Sequence, residues 1–263
     1  MTTVRTDSVL DAIVARKKVD LENGVVQRSI AEVRSAAELA TPARELAATP
    51  SVSGVRLVAE IKRQSPSRGV IRERFDPVTI AQTYQECAAA ALSILTDTRY
   101  FGGQLSFLRD VKAFTELPIL RKDFIIDEYQ IYESAQAAAD AILLIARLLP
   151  AETLKRFVAL AGKLQLDVLA EVHNETELDA VLHAGCRIIG INHRDLDTLQ
   201  MDPTLSQRLV PRVPKTYTVV AESGLHTRAD VERMRALGVD AVLIGEAFME
   251  SPDIAATVRE LMG

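Results

Sequence analysis

Short apolar runs recur along the chain from residue 57 onward, and most of them end in a polar or ionisable side chain. Eight such runs are nearly continuously apolar, as expected for strands of a parallel sheet that is covered on both faces. Between them, apolar residues recur every three or four positions, which is the period of an amphipathic helix. The pattern predicts eight alternations of strand and helix.

The number of these units predicts the fold class. Eight units of about 20 to 35 residues fit a (β/α)8 TIM barrel. The chain carries no dinucleotide-binding fingerprint of the kind that accompanies many doubly wound open sheets. An α/β fold with a closed TIM barrel is therefore predicted, and the doubly wound open sheet is the alternative.

Capping residues predict where several helices begin and end. A short polar side chain before proline can cap the first turn, and a capping box pairs it with an acidic residue three positions later. Gly185 and Gly238 are predicted C-terminal stops. Helix starts are predicted at Asp76-Pro77, Asp202-Pro203, Ser251-Pro252, Asn174 with Glu177, and Thr227 with Asp230.

The first 56 residues do not follow the strand–helix repeat. A helix start is predicted at Ser8, and a second helix over residues 30–39. Thr41-Pro42 and Thr49-Pro50-Ser51 are interpreted as connecting segments. Because this part is too short for a core of its own, we expect residues 1–56 to form a helical extension packed on a barrel of residues 57–263, as one structural domain.

The polar residues at the strand ends predict a site. In barrels of this kind, the carboxyl ends of the strands and the loops after them build the active site. One run, Ala141 to Ile145, lacks a polar ending, and no role in the chemistry is expected for it. The other endings are Glu60 with Lys62, Thr96-Asp97, Arg121-Lys122, Glu171, Asn192, Glu222 and Gly245-Glu246.

Four of these residues suggest proton chemistry. Glu60 and Lys62 are two positions apart, so both leave an extended strand by the same face and reach the barrel mouth; a buried ion pair is the alternative. Lys122, in a partly desolvated pocket beside carboxylates, can donate a proton while it holds an anion; a solvated loop lysine is the alternative. Glu171 is the matching candidate acid or base, and its alternative is a structural ion pair.

The last two strand ends predict a phosphate site. Ser223, Gly224 and Gly245 lie where the seventh and eighth strand loops of such barrels cradle phosphate with backbone N–H groups and a short helix. Glu246 would repel a phosphate, so we expect only its backbone to contribute. Ser65 can add a hydroxyl donor. Simple turn glycines are the alternative.

Composition narrows the function classes. An apolar content of 48% and a charged content of 25% provide a substantial core. The net charge of −5 and the lack of a basic stretch disfavour a nucleic-acid partner. No run approaches the roughly 20 apolar residues of a membrane span, and the N-terminus lacks a signal-peptide pattern. We therefore expect a cytoplasmic protein without a membrane partner, and a monomer is favoured.

Cysteine and histidine give no sign of a metal site. Cys87 and Cys186 are far apart and are interpreted as ordinary buried thiols. His173, His193 and His226 do not stand at metal-ligand spacing with a third partner. No metal is expected.

Several motifs together resemble one enzyme family, the indole-3-glycerol phosphate synthases of tryptophan biosynthesis. The resemblance covers nearly the whole chain, and its motifs fall in the family's order. The matching segments are residues 58–69 (VAEIKRQSPSRG), 95–97 (LTD) with 101–103 (FGG), 120–125 (LRKDFI), 192–196 (NHRDL) and 221–224 (AESG).

The resemblance implies a reaction and a division of roles. It implies ring closure of 1-(2-carboxyphenylamino)-1-deoxyribulose 5-phosphate to indole-3-glycerol phosphate, with loss of carbon dioxide and water and without a cofactor. Lys122 would be the general acid, and Glu171 and Lys62 would serve the later proton transfers. Glu60, Asn192 and Glu222 would orient the reacting groups; Arg194 with Lys62 would face the substrate carboxylate; Ser65, Ser223, Gly224, Gly245 and the Glu246 backbone would hold the phosphate.

The sequence leaves two alternative functions, an isomerase and a binding-only barrel. Phosphoribosylanthranilate isomerase is a barrel with a similar phosphate site, but it is expected to use a cysteine on its first strand, where this chain has Glu60 and Lys62. A binding-only barrel needs a lost catalytic position, and none is found. The chain departs from the family at His193, where a smaller polar residue is expected, at Glu128, and at Ala89 and Ala138, where glycine is frequent.

Overall fold

Eight parallel strands close into a barrel in a computed structural model of the chain, which describes residues 8–40, 43–46 and 54–263. Each strand pairs with the next along the chain, and the first pairs with the last, with Val58 opposite Leu243. The predicted TIM barrel is confirmed, and the open sheet is wrong. The strands are β1 Arg56–Ile61, β2 Ala91–Leu95, β3 Ile119–Lys122, β4 Ala141–Ile145, β5 Asp167–Val172, β6 Ile188–Asn192, β7 Thr218–Glu222 and β8 Ala241–Ile244.

Helices follow the strands and cover the outside of the barrel. A two-stranded hairpin, Gln64–Ser65 with Gly69–Val70, follows β1, and 3-10 turns lie at Ala146–Leu148 and Val210–Arg212. The helices are α1 Val9–Gln27, α2 Ile30–Glu38, α3 Pro77–Glu86, α4 Thr98–Phe101, α5 Ser106–Lys112, α6 Glu128–Gln136, α7 Ala151–Lys163, α8 Glu175–His183, α9 Leu205–Leu209, α10 Arg228–Leu237, α11 Glu246–Glu250 and α12 Ile254–Met262.

Four predicted helix starts are confirmed, the first at Ser8, whose hydroxyl accepts from the backbone N–H of Asp11 at the start of α1. Asp76 caps α3, and Pro77 occupies its first turn. Asn174 caps α8 through the backbone N–H of its third residue. Thr227 and Asp230 form a complete capping box at α10. The spacing rules therefore work where the capping residue directly precedes the helix.

Two predicted starts are wrong. The helix expected at Pro203 begins two residues later, because Asp202 accepts a hydrogen bond from the backbone N–H of Thr204 and forms a local turn instead. The last helix is capped by Asp253 rather than by Ser251. In both places the side chain expected to cap the helix accepts a hydrogen bond within a turn that precedes the helix.

Left-handed residues follow several helices. Gly185 and Gly238 have φ angles of 83° and 85°, which confirms both predicted stops. Ala138, one of two positions where the family resemblance implies glycine, has a φ of 65°. At the other position Ala88 rather than Ala89 is left-handed, with a φ of 58°. For a residue with a Cβ this conformation costs about 1–2 kcal/mol.

Apolar side chains form two clusters. One lies between the helices and the outer face of the barrel, and it includes Ile94, Phe157 and Phe248. The other fills the barrel interior around Leu120 and Leu143. The rest of the barrel interior is apolar, and the polar residues lie at the carboxyl ends of the strands. Any polar site inside the barrel is therefore confined to that end.

The N-terminal extension contacts the barrel in several places. Helix α2 packs against α6, and the backbone N–H of Leu46 donates to Asp167 at 2.7 Å. The segments predicted at Thr41-Pro42 and Thr49-Pro50-Ser51 lie outside the described residues, and the boundary between extension and barrel at residue 56 stays a prediction. Across the ranges that the structure covers, no helix has both the length and the apolar character needed to cross a membrane.

Candidate active site

A pocket opens at the carboxyl ends of the barrel strands. Apolar walls come from Phe101, Phe124, Leu143 and Ile145. All twelve residues predicted for the site line this pocket, although their placement does not assign their roles. They are Glu60, Lys62, Ser65, Lys122, Glu171, Asn192, Arg194, Glu222, Ser223, Gly224, Gly245 and Glu246.

Lys122 lies between two buried carboxylates at the end of β3. Its Nζ is 3.2 Å from Glu171 Oε2 and 3.5 Å from Glu222 Oε2. Burial alone lowers the pKa of Lys122, but the charges of Glu171, Glu222 and Glu60 outweigh it and hold that pKa well above its usual value. Lys122 is therefore a protonated ammonium group, and it is not a solvated loop lysine.

The two carboxylates beside Lys122 differ in charge state. Burial raises the pKa of Glu171, but Lys122 and His173 outweigh it and hold that pKa well below its usual value. Burial and the neighbouring Glu171 charge raise the pKa of Glu222 to about 8. The pair therefore offers one ionised and one protonated carboxyl group near neutral pH.

A glycine on the neighbouring strand makes room for Glu222. A Cβ atom at Gly190 would lie 2.2 Å from Glu222 Oε1, which is far closer than van der Waals contact. Glycine is therefore required at this position of β6 so that Glu222 can turn inward.

Glu60 and Lys62 point to the same side of β1. Their side chains form an ion pair of 2.6 Å, so the expected common face and the alternative ion pair are both present. A Cβ atom at Gly245 would lie 2.4 Å from Glu60 Oε2. Gly245 therefore leaves space for Glu60, a requirement separate from any phosphate contact.

Arginine side chains surround Glu246 on the other side of the pocket. Arg194 Nη2 is 3.4 Å from Glu246 Oε2, and Arg68 Nη2 is 2.9 Å from Glu246 Oε1. Burial raises the pKa of Glu246, but Arg68, Arg194 and Lys62 outweigh it and lower that pKa. The Glu246 side chain thus lines the pocket, and the repulsion expected from it is offset by cations.

The predicted phosphate region consists mainly of loop backbone. Ser223 and Gly224 have φ angles of 67° and 71°, and α11 begins directly after Gly245. Ser65 is buried in the hairpin after β1, with its hydroxyl 3.3 Å from that of Ser67. N–H and hydroxyl groups are therefore available where an anion is expected.

Two polar strand ends do not reach the pocket. Asp97 caps α4 by accepting from the backbone N–H of Tyr100. Arg121 points outward from β3 and pairs with Asp123 and Glu133. The interpretation of every polar ending as part of one site is therefore too broad, because strand alternation sends Arg121 to the opposite face from Lys122.

Lys17 of α1 is a buried residue that the sequence analysis missed. Its Nζ lies 3.0 Å from Asp97 and 2.8 Å from Asp123, and this pairing fixes α1 over the ends of β2 and β3. Leu10 and Ile13 of the same helix line the pocket. The sequence does carry a signal that Lys17 is buried: residues 10, 13 and 17 share one helix face, so Lys17 lies in line with the apolar Leu10 and Ile13.

The end of β4 also lines the pocket, although the sequence offers no reason to expect a chemical role for it. Leu143 and Ile145 form part of the pocket wall. Arg147, two residues beyond the strand, donates to Glu177 at 3.1 Å. A polar last residue is too narrow a criterion for finding strands that line the site. It misses apolar lining residues such as Ile145, and it misses Arg147, which lies two residues beyond the strand.

The other histidines and the cysteines are scattered between the core and the pocket. His193 is buried, with Nε2 2.7 Å from the Ser206 hydroxyl, whereas His226 lines the pocket. Cys186 is buried as expected and Cys87 is only partly buried. Within the described ranges, no group of three or more candidate ligands is arranged to hold a metal ion.

Comparison with known proteins identifies a family. The family model described as indole-3-glycerol phosphate synthase matches residues 10–261. A protein of that name from Dehalococcoides mccartyi strain CBDB1 is 44% identical over 258 residues, which cover 97% of this chain and 100% of that protein. One from Roseiflexus castenholzii is 43% identical over 98% of this chain and 99% of its own length. One from Caldanaerobacter subterraneus is 52% identical over 80% and 82%.

Proposed function

This chain belongs to the indole-3-glycerol phosphate synthase family, carboxy-lyases of tryptophan biosynthesis, and from that premise we propose how it acts. It closes the indole ring of 1-(2-carboxyphenylamino)-1-deoxyribulose 5-phosphate and releases carbon dioxide and water. The observation that carries the proposal is the buried Lys122 ammonium held between Glu171 and Glu222 at the pocket.

Lys122 is the general acid of the first step. The aromatic carbon that bears the carboxylate attacks the ketone carbon, and charge develops on the ketone oxygen. A buried ammonium group can donate its proton to that oxygen, and the low-dielectric surroundings strengthen the interaction. Glu171 and Lys62 serve the proton transfers of the dehydration, and Glu60, Asn192 and Glu222 orient these groups.

The substrate carries two anionic groups, and the pocket offers cations and donors for both. Lys62 and Arg194 hold the carboxylate that is lost as carbon dioxide. Ser65, Ser223, Gly224, Gly245 and the backbone of Glu246 hold the phosphate. Apolar residues, among them Phe124 and Ile145, surround the aromatic ring. The protein works in the cytoplasm as a monomer, without metal, nucleic acid or membrane.

The test is an assay with the purified protein and the named substrate in the presence of a metal chelator. We expect an indole absorbance to appear and carbon dioxide to be released in equal amount. Absence of indole product under conditions where substrate demonstrably binds would exclude the proposal. Loss of activity in chelator, restored by a divalent cation, would exclude only the metal-free mechanism.

A further inference from the structure

His173 lies directly behind Glu171 and faces two carboxylates. It follows β5, and its side chain is buried. Nε2 is 3.3 Å from Glu171 Oε1, and Nδ1 is 3.0 Å from Glu177 Oε2. A neutral imidazole has one N–H and would turn a lone pair toward one of the carboxylates. Nδ1 is hydrogen-bonded to Glu177, and Nε2 lies within ion-pair distance of Glu171 without a hydrogen bond, so the position between two carboxylates favours an imidazolium ion.

Glu177 is held in place for this contact. It accepts hydrogen bonds from the backbone N–H of His173 at 2.8 Å, from Asn174 Nδ2 at 2.8 Å and from Arg147 Nε at 3.1 Å. Its position three residues after Asn174 predicted a capping box, yet its carboxylate reaches the imidazole instead of closing the box. Asn174 alone satisfies the cap, which leaves Glu177 free to hold His173.

Arg147 links this pair to the end of β4. Its guanidinium also lies 3.0 Å from Asp195 and 2.8 Å from Asp197, both in the loop after β6. Charges therefore alternate from Arg147 through Glu177 and His173 to Glu171. Lys122 stands at the other end of this row, inside the pocket.

The two carboxylates beside Lys122 have unequal surroundings. Glu171 faces two cations, Lys122 and His173. Glu222 faces Lys122 alone, at 3.5 Å. In the described part of the chain the buried Oε1 atoms of both carboxylates lack a hydrogen-bond donor, but only that of Glu171 has a second cation, His173, beside it. An unpaired buried oxygen is far less costly when its carboxyl group is protonated. Asn192 and Glu60 are the other polar groups around this cluster.

We propose that His173 is a positioning residue that keeps Glu171 ionised and aligned beside Lys122, so that Glu222 holds the proton of the carboxylate pair. The role rests on the proposed function, because Glu171 accepts a proton from substrate only as a carboxylate. Electrostatics agree: burial lowers the pKa of His173, but Glu171 and Glu177 outweigh it and raise that pKa to about 9.

The first test compares pH–rate profiles of the wild type and His173→Gln. His183→Gln is the matched control, since His183 is exposed at the end of α8 and its ring contacts a backbone carbonyl. In His173→Gln we expect kcat to fall about tenfold and the acid limb to move up by about one pH unit or more, because Glu171 loses a cation. KM should change less than about twofold, because His173 does not line the pocket.

The opposite outcomes are equally clear. A profile that superimposes on that of the wild type, or a rise in KM without a shift of the acid limb, would overturn the proposal. The His183→Gln profile should match the wild type.

The second test measures the imidazole itself by NMR titration of the wild-type protein, with the His173 signal assigned from its loss in His173→Gln. We expect His173 to remain charged through pH 8. In Glu177→Gln, the pKa of His173 should be lower than in the wild type. Titration near 6.5, the ordinary histidine pKa, would overturn the proposal. This measurement needs no turnover, so it is distinguishable from the assay for the indole product, whose failure would remove the proposed function instead.

Discussion

The two sides of the pocket are built differently. On one side, here called the proton-transfer wall, Lys122 lies between Glu171 and Glu222, whose side chains are 1% and 2% exposed. On the other, here called the anion wall, Arg194 and Arg68 flank Glu246 with side-chain exposures of 25% and 53%. Charge interactions are strong where water is excluded and weak where it is present. The first wall can therefore set protonation states, and the second can exchange partners when an anion arrives.

Glu246 illustrates the exchange. In the structure it partners both Arg194 and Arg68. A substrate carboxylate or phosphate can take over these contacts, because ion pairs of partly exposed arginines are weakly held. The proton-transfer wall has no comparable freedom, since separating Lys122 from its carboxylates would leave buried charges unpaired.

The largest effect is expected from Lys122→Ala. Removal of the proposed general acid should lower kcat on the order of a hundredfold or more, with a smaller change in KM. Steady-state kinetics with the indole product as readout measure both. Lys155→Ala, at an exposed position of α7, is the control and should leave both constants unchanged. Near-normal turnover of Lys122→Ala would move the acid function to Lys62.

Arg194→Ala tests the other wall. A lost charge-assisted hydrogen bond of about 1.5–3 kcal/mol should raise KM roughly tenfold or more, with little change in kcat. Arg68→Ala is the graded comparison: its side chain is half-exposed, so KM should rise at most severalfold. An Arg194→Ala variant that loses kcat while KM stays constant would contradict the division into two walls.

Two glycines, one within β6 and one directly after β8, allow a matched comparison of the walls. Gly190→Ala forces Glu222 away, and Gly245→Ala forces Glu60 away from its place beside Lys62. We expect the first to lower kcat severalfold. The second should mainly raise KM, because Lys62, the proposed partner of the substrate carboxylate, loses the ion pair with Glu60 that holds it in place. Gly162→Ala in α7 is the control, since a Cβ atom there meets no other atom within 4 Å. Identical kinetic changes in Gly190→Ala and Gly245→Ala would show that the walls act as one unit.

The sequence predicted the barrel and the position of the pocket because both follow from periodic signals. Apolar runs mark the strands, and polar residues at their ends mark the open end of the barrel. Strand alternation also separates Lys122 from Arg121, a distinction that the pattern of polar endings alone did not make. The family resemblance added residue roles, which stay proposals.

Other features could not be predicted because they depend on distant contacts. Lys17 pairs with Asp97 and Asp123, which are far away along the chain and meet it only when α1 lies over the barrel. Glu177 follows the spacing of a capping box, but the imidazole of His173 competes for its carboxylate. Spacing rules describe what a side chain can reach locally, and tertiary partners decide which contact it makes.

The smallest expected effect is a difference in pH-dependent stability. The pKa of Glu222 is raised from 4.5 to about 8, so the folded protein binds more protons than the unfolded chain, and stability falls as pH rises through that window. The pKa of Glu246 is lowered, so its contribution is lost instead as pH falls below 4.5. Urea unfolding midpoints between about pH 3 and 9 measure both, with Glu222→Gln and Glu246→Gln as the matched variants. Glu222→Gln should flatten the pH dependence of stability on the alkaline side alone, because buried Glu222 is costly when charged. Glu246→Gln should flatten it on the acid side alone, because Glu246, paired with arginines, is costly when neutral.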